Sequence, residues 1–133
     1  MNHDLESRIV GSILGTAVGD AIGLPYEGLS SRRAARLLGP PDRQRFFLGR
    51  GMVSDDTEHA CMAAQAFIAC PDDVTAFSKS LAWRLRFWLL GLPGGTGLAT
   101  AKAIVRLWLG FPPHRSGVFS AGNGPAMRSA VLG

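Results

Sequence analysis

Apolar residues recur in pairs along the first part of the chain: Ile9/Val10, Ile13/Leu14, Ala17/Val18 and Ala21/Ile22. Pairs spaced in this way track one face of an α-helix. The stretch LESRIVGSILGTAVGDAIGLP is therefore predicted helical, stopped by Gly23 and Pro25. A second helix is predicted from about Asp55 to Ala69, closed by Pro71 and Asp72, and a third from about Val74 to Leu90, closed by Gly91 and Pro93. The Gly-rich turn GLPGGTG leads to a fourth, about Leu98 to Leu109, ended by Pro112 and Pro113. Residues 28–53 read as irregular apart from a short helix near Ser31 to Leu38. HRSGVFSAGNG reads as loop, and Pro125, suited to a first helical position, opens a fifth helix over PAMRSAVLG. No stretch alternates as a strand, and there is no internal repeat. The predicted class is all-α.

Four glycines, Gly11, Gly15, Gly19 and Gly23, fall at four-residue intervals on the first helix. Each costs roughly 1 kcal/mol against alanine in a helix interior, so close packing has to offset them. A glycine ridge of this kind predicts a helix buried on several sides, in a compact bundle. Asp20, in the middle of the ridge, argues against a membrane helix.

Composition sharpens this picture. The chain has 133 residues, enough for one domain with a real core. With 47% hydrophobic and 18% charged residues it is too apolar to be disordered. The net charge of +4 is unevenly spread: Arg32, Arg33, Arg36, Arg43, Arg45 and Arg50 crowd one stretch, and no acid follows Asp73. A basic surface attracts phosphate-bearing ligands or nucleic acid, and is equally an ordinary solvated face. A nucleic-acid role would rest on these arginines alone, and none is expected. Cys61 and Cys70 form no C-x-x-C pair, and Cys61 lies among alanines on a predicted helix, which suits a buried thiol and a reducing, cytoplasmic setting. Asp4 and Glu6 precede the apolar run, unlike a signal peptide. The apolar region from Leu81 to Phe111 is broken by Arg84, Arg86, Lys102 and Arg106, so a soluble protein without a membrane partner is expected.

Candidate chemistry lies in three short stretches. The first, SDDTE, concentrates Asp55, Asp56 and Glu58 at a helix start. Ser54 or Asp55 can cap the helix, and Glu58 can complete a capping box. Adjacent carboxylates beside the Ser54 and Thr57 hydroxyls equally suit a hard cation, Mg²⁺ or Mn²⁺. The second, GDAIGLPYEG, carries Asp20 and Glu27. A charge on an apolar, glycine-rich helix needs a partner, and a carboxylate facing a metal site is placed for general acid/base work. The third, SAGNGPAMR, has small residues before a helix start, whose amides suit a phosphate or ribose oxygen, although Asn-Gly is also a common turn.

In this order and spacing, GxxxGxxxGDAxGxPxE, SDDT and SAGNGxAMR resemble the ADP-ribosylglycohydrolase family, which includes the dinitrogenase-reductase-activating glycohydrolases. The resemblance runs from about Ile9 to Gly133. It implies an all-α, orthogonal helical bundle of one domain, of which residues 1–133 form the N-terminal part. It implies a two-ion magnesium (or manganese) centre and hydrolysis of the bond between ADP-ribose and an acceptor. The acceptor is a protein side chain or a small molecule. On this resemblance Ser54, Asp55, Asp56 and Thr57 are metal ligands, Glu27 and Asp20 belong to the catalytic region, and Gly122, Asn123 and Gly124 bind substrate. His59, one turn on from Asp55, is placed for a supporting role in that shell or a purely structural one.

There is one departure. The family's second metal motif, Asp-x-Asp-Thr, is absent from this sequence, so the chain reads as the front of a longer protein holding half the centre. Covering helices for the glycine ridge would then be missing, leaving apolar surface exposed. A non-catalytic ADP-ribose-binding module and an inactive remnant are the alternative expectations.

Overall fold

Local signals set most helix ends. In the computed structural model, which describes residues 3–46 and 48–132, the order is α1 (His3–Gly23), a 3-10 turn (Leu24–Tyr26), α2 (Ser31–Leu37), α3 (Asp55–Ala69), α4 (Val74–Leu90), α5 (Leu98–Trp108), α6 (Pro113–Ser116) and α7 (Gly124–Ser129). The described residues contain no strand, and the fold is all-α. Asp73 caps α4 by accepting from the Thr75 and Ala76 amides at 2.8 and 3.0 Å. Ser30 caps α2 through Arg33 N–H at 3.4 Å. Two segments depart from the sequence reading. Pro113 opens α6 inside a stretch read as a helix stop and loop, because a first helical position needs no N–H. The last helix ends at Ser129, and Gly133, where that reading closed, lies outside the described residues.

The centre of the bundle is α3, which packs against α1, α4 and α7, while α4 packs against α5 and both meet α6. Its sequence explains why. Ala60, Ala63, Ala64 and Ala66 are buried, and their small side chains let neighbouring helices come close without loss of helix propensity. Ala60, Ala63 and Ala64 form a core cluster with Ile9 of α1 and Val131 beyond α7, with Ile13 and Phe67 packed on it.

The glycine helix is the less buried partner, which corrects the expectation from its ridge. On α1 only Ile9, Asp20 and Ala21 are buried. A Cβ added at Gly11, Gly15, Gly19 or Gly23 would meet open space. Val10, Leu14 and Val18 stay 50%, 60% and 53% exposed. One stripe of α1 packs on α3, and the glycine face turns away from every described element, so apolar surface is left bare. By length and composition His3–Tyr26 could cross a membrane, with 17% of the apolar window buried. Asp20 nevertheless ties this helix to the bundle through side-chain hydrogen bonds.

Candidate active site

The start of α3 is organised by a residue of another helix. Asp20 Oδ2 accepts from the amide of Ser54 at 2.7 Å, from the amide of Thr57 at 3.2 Å and from the Thr57 hydroxyl. Asp20 Oδ1 accepts from Ser54 Oγ at 2.8 Å. A carboxylate thus sits at the positive end of α3, serving first-turn donors that have no partner within the helix. The local capping box does not form. Ser54 Oγ is a long 3.5 Å from Asp56 N, and Glu58 turns away to accept from Trp88 Nε1 at 2.6 Å. Burial alone would raise the Asp20 carboxyl, but the hydrogen bonds from Thr57 and Ser54 outweigh it and hold Asp20 below its ordinary value.

With Ser54 and Thr57 turned to Asp20, the two residues between them face elsewhere. Asp55 and Asp56 line a cleft of about 560 Å³ together with Glu27, Gly122, Asn123 and Gly124. This volume suits a small-molecule ligand. Four separate parts of the chain meet there: the end of the 3-10 turn, the start of α3, the turn before α5 and the loop before α7. Asp20, Ser54 and Thr57 are not on its wall. Each hydroxyl has given its proton to Asp20, so oxygen lone pairs are its remaining capacity for a cation.

The carboxylates on the wall repel one another. Burial, then the charge of Asp56, followed by Glu27 and Asp20, raises Asp55 above its ordinary value despite a backbone hydrogen bond. Burial and then Asp20 raise Asp56. Carboxylates held together against their own repulsion suit a cation. Among the described residues no group of three or more His, Cys, Asp and Glu side chains could hold a metal ion. Mg²⁺ asks for less, since it keeps several waters and takes one or two carboxylates. Asp55 and Asp56 are the adjacent carboxylates on the wall of this cleft.

Two residues at the cleft, Gly95 and Arg128, are not singled out by the sequence. Gly95, in the turn before α5, has φ +83°, and a Cβ there would lie 3.0 Å from Asp55 Oδ1. A side chain at this position would be strained and would press on the carboxylate. Arg128 of α7 also reaches the cleft. Its Nη1 lies 2.7 Å from Nδ1 of His59, which is fully buried and packs edge-on against Trp88 at 4.3 Å between ring centres. The signal for Arg128 was present: a charge on a short apolar helix needs a partner, the same argument that singled out Asp20.

Burial, then the charge of Arg128, lowers the His59 imidazole to about 4. The unfolded chain takes up this proton near 6.5 and the folded chain near 4. Between these values the unfolded state binds more protons, so stability falls as pH drops through that window. The loss should reach roughly 3 kcal/mol at the low end. Urea midpoints at pH 7.5 and 4.5 check this, and His59→Met should flatten the dependence. Parallel losses in wild type and variant would count against it.

An uncharacterized protein of Archaeoglobus fulgidus is 36% identical over 137 aligned positions, covering 97% of this chain and 43% of the relative. The chain therefore spans less than half the length of the curated relative it matches. The sequence model of the ADP-ribosylglycohydrolase family matches residues 1–133, over all three motif stretches that meet around the start of α3. On that match the chain belongs to the ADP-ribosylglycohydrolase family.

Proposed function

We propose that the complete protein is a hydrolase, dependent on Mg²⁺ or Mn²⁺, that cleaves the glycosidic bond between ADP-ribose and an acceptor. One observation carries this reading. Glu27, Asp55, Asp56 and the Gly122–Asn123–Gly124 loop, far apart in sequence, line one cleft. Asp55 and Asp56 are the ligands for a hard cation, with Ser54 and Thr57 hydroxyl oxygens behind them. When bound, such a cation orients ribose hydroxyls and a water and stabilises negative charge. Glu27 moves the proton between water, sugar and leaving group as general acid/base. Asp20 acts as a positioning residue: it holds the first turn of α3 so that both aspartates face the ligand. The 122–124 loop contacts ribose or phosphate. The substrate is an ADP-ribosylated protein or a small molecule containing ADP-ribose.

The test is direct. The complete protein is incubated with ADP-ribosyl-arginine, an ADP-ribosyl-serine peptide and an ADP-ribosyl ester, each with Mg²⁺, with Mn²⁺ and with chelator. Release of ADP-ribose from at least one, lost on chelation, is expected. No release from any of them with either metal would sink the hydrolase reading. The carboxylate set, which suffices for one ion among the described residues, favours a second reading: an ADP-ribose-binding module without turnover. Tight ADP-ribose binding with no release would single that out.

A further inference from the structure

The His59–Arg128 contact is unusual in its polarity. A guanidinium only donates, so the His59 Nδ1 that meets Arg128 Nη1 must accept. The imidazole is then neutral with its proton on Nε2, a buried atom that has no hydrogen-bond partner. A neutral acceptor fixes the arginine without cancelling its charge. The ion pairs among the described residues are Arg8–Asp4 and Arg45–Asp42, and neither involves Arg128. Its other N–H groups have no protein acceptor among the described residues, and Arg128 lines the same cleft as Glu27, Asp55 and Asp56. The charge of Asp55 acts favourably on Arg128 from beyond ion-pair distance, and a partly buried guanidinium without an ion pair keeps room for a further anion. Gly124 keeps that side open: a Cβ there would come 3.0 Å from Arg128 Nη2.

We propose that Arg128 is the anion-contact residue of this cleft, its guanidinium taking phosphoryl oxygens of a diphosphate-bearing ligand, with His59 as the positioning residue that aims it. The planar fork of arginine matches a phosphoryl group in two-point contact, and the other charged residues of the cleft, Glu27, Asp55 and Asp56, would repel such a ligand. The identity of the ligand as an ADP-ribosyl compound rests on the function proposed above; the anion site itself does not.

The experiment titrates the complete protein with inorganic pyrophosphate in metal-free buffer and, separately, with ADP-ribose. Wild type is compared with Arg128→Gln, Arg128→Lys, His59→Leu and His59→Asn, with thermal melts to confirm folding. Arg128→Gln should weaken both ligands by roughly tenfold or more, the usual loss of a charge-assisted hydrogen bond. Arg128→Lys, which keeps the charge and loses the fork, should fall between. His59→Leu should weaken binding, and His59→Asn, which keeps an acceptor near the Nδ1 position, should restore most of it, a rescue that a purely packing role would not produce. In turnover the loss should fall on KM more than on kcat. Pyrophosphate binding that depends on Arg128, in a protein that ignores ADP-ribose, would support the anion site and sink the glycohydrolase reading. Failure of wild type to bind pyrophosphate would overturn the proposal. So would equal affinities in wild type and Arg128→Gln, or identical behaviour of the two His59 variants.

Discussion

Replacing Asp20 with alanine is expected to destabilise the protein by about 3–5 kcal/mol, the range for leaving buried partners of a charged group unpaired. The carboxylate is nearly buried and accepts from two amides and two hydroxyls at the start of α3. No water-facing substitute is at hand for the Thr57 donors, because Thr57 is itself buried. Asp20→Asn keeps one acceptor oxygen and should cost less. Urea unfolding at pH 7 measures both. The same carboxyl is held below its ordinary value, so its contribution is present above about 3.8 and is lost as pH falls through the folded value. A change below about 1 kcal/mol in Asp20→Ala would mean that the α3 start is held by something else. Activity should fall with stability, because the turn that aims Asp55 and Asp56 would loosen.

Alanine at Asp55 or Asp56 should do the opposite. On the function proposed above, turnover by the complete protein should drop by about a thousandfold or more, the loss expected when a charge-stabilising cation is deprived of a ligand. Stability without added metal should stay level or rise slightly. Both carboxyls are raised by burial and by neighbouring carboxylates, so their ionised forms work against folding above about 3.8. Divalent metal should raise the melting temperature of wild type and not of either variant. Near-normal turnover in both variants would remove the metal assignment. A large drop in metal-free stability would show that the aspartates serve the fold.

Much of the secondary structure was legible in the sequence. The end of α3 follows from Pro71, and the limits of α4 from the Asp73 cap, Gly91 and Pro93, which are local chemistry. Several residues singled out from the sequence, Glu27, Asp55, Asp56, Gly122, Asn123 and Gly124, line one candidate cleft. Other features were not legible. Nothing local tells that the Ser54 hydroxyl donates to Asp20, 34 residues away. The glycine spacing on α1 reads as a buried ridge, yet its face is open, because burial depends on which elements stand opposite. Gly95 reads as an ordinary turn residue until Asp55 is seen against it.

Most of the helices, their breaks and the residue types able to bind a cation can be read from the chain, because propensity, capping and proline geometry act over a few residues. What those residues do depends on how the helices pack. That packing sent Asp20 to cap α3, left Asp55 and Asp56 facing the cleft, and paired His59 with Arg128 across 69 positions of chain. These outcomes depend on which donors, acceptors and charges are brought within about 3 Å of each other, the reach of a hydrogen bond. That distance is set by packing α1, α4 and α7 onto the alanine-rich α3, and no window of sequence contains it.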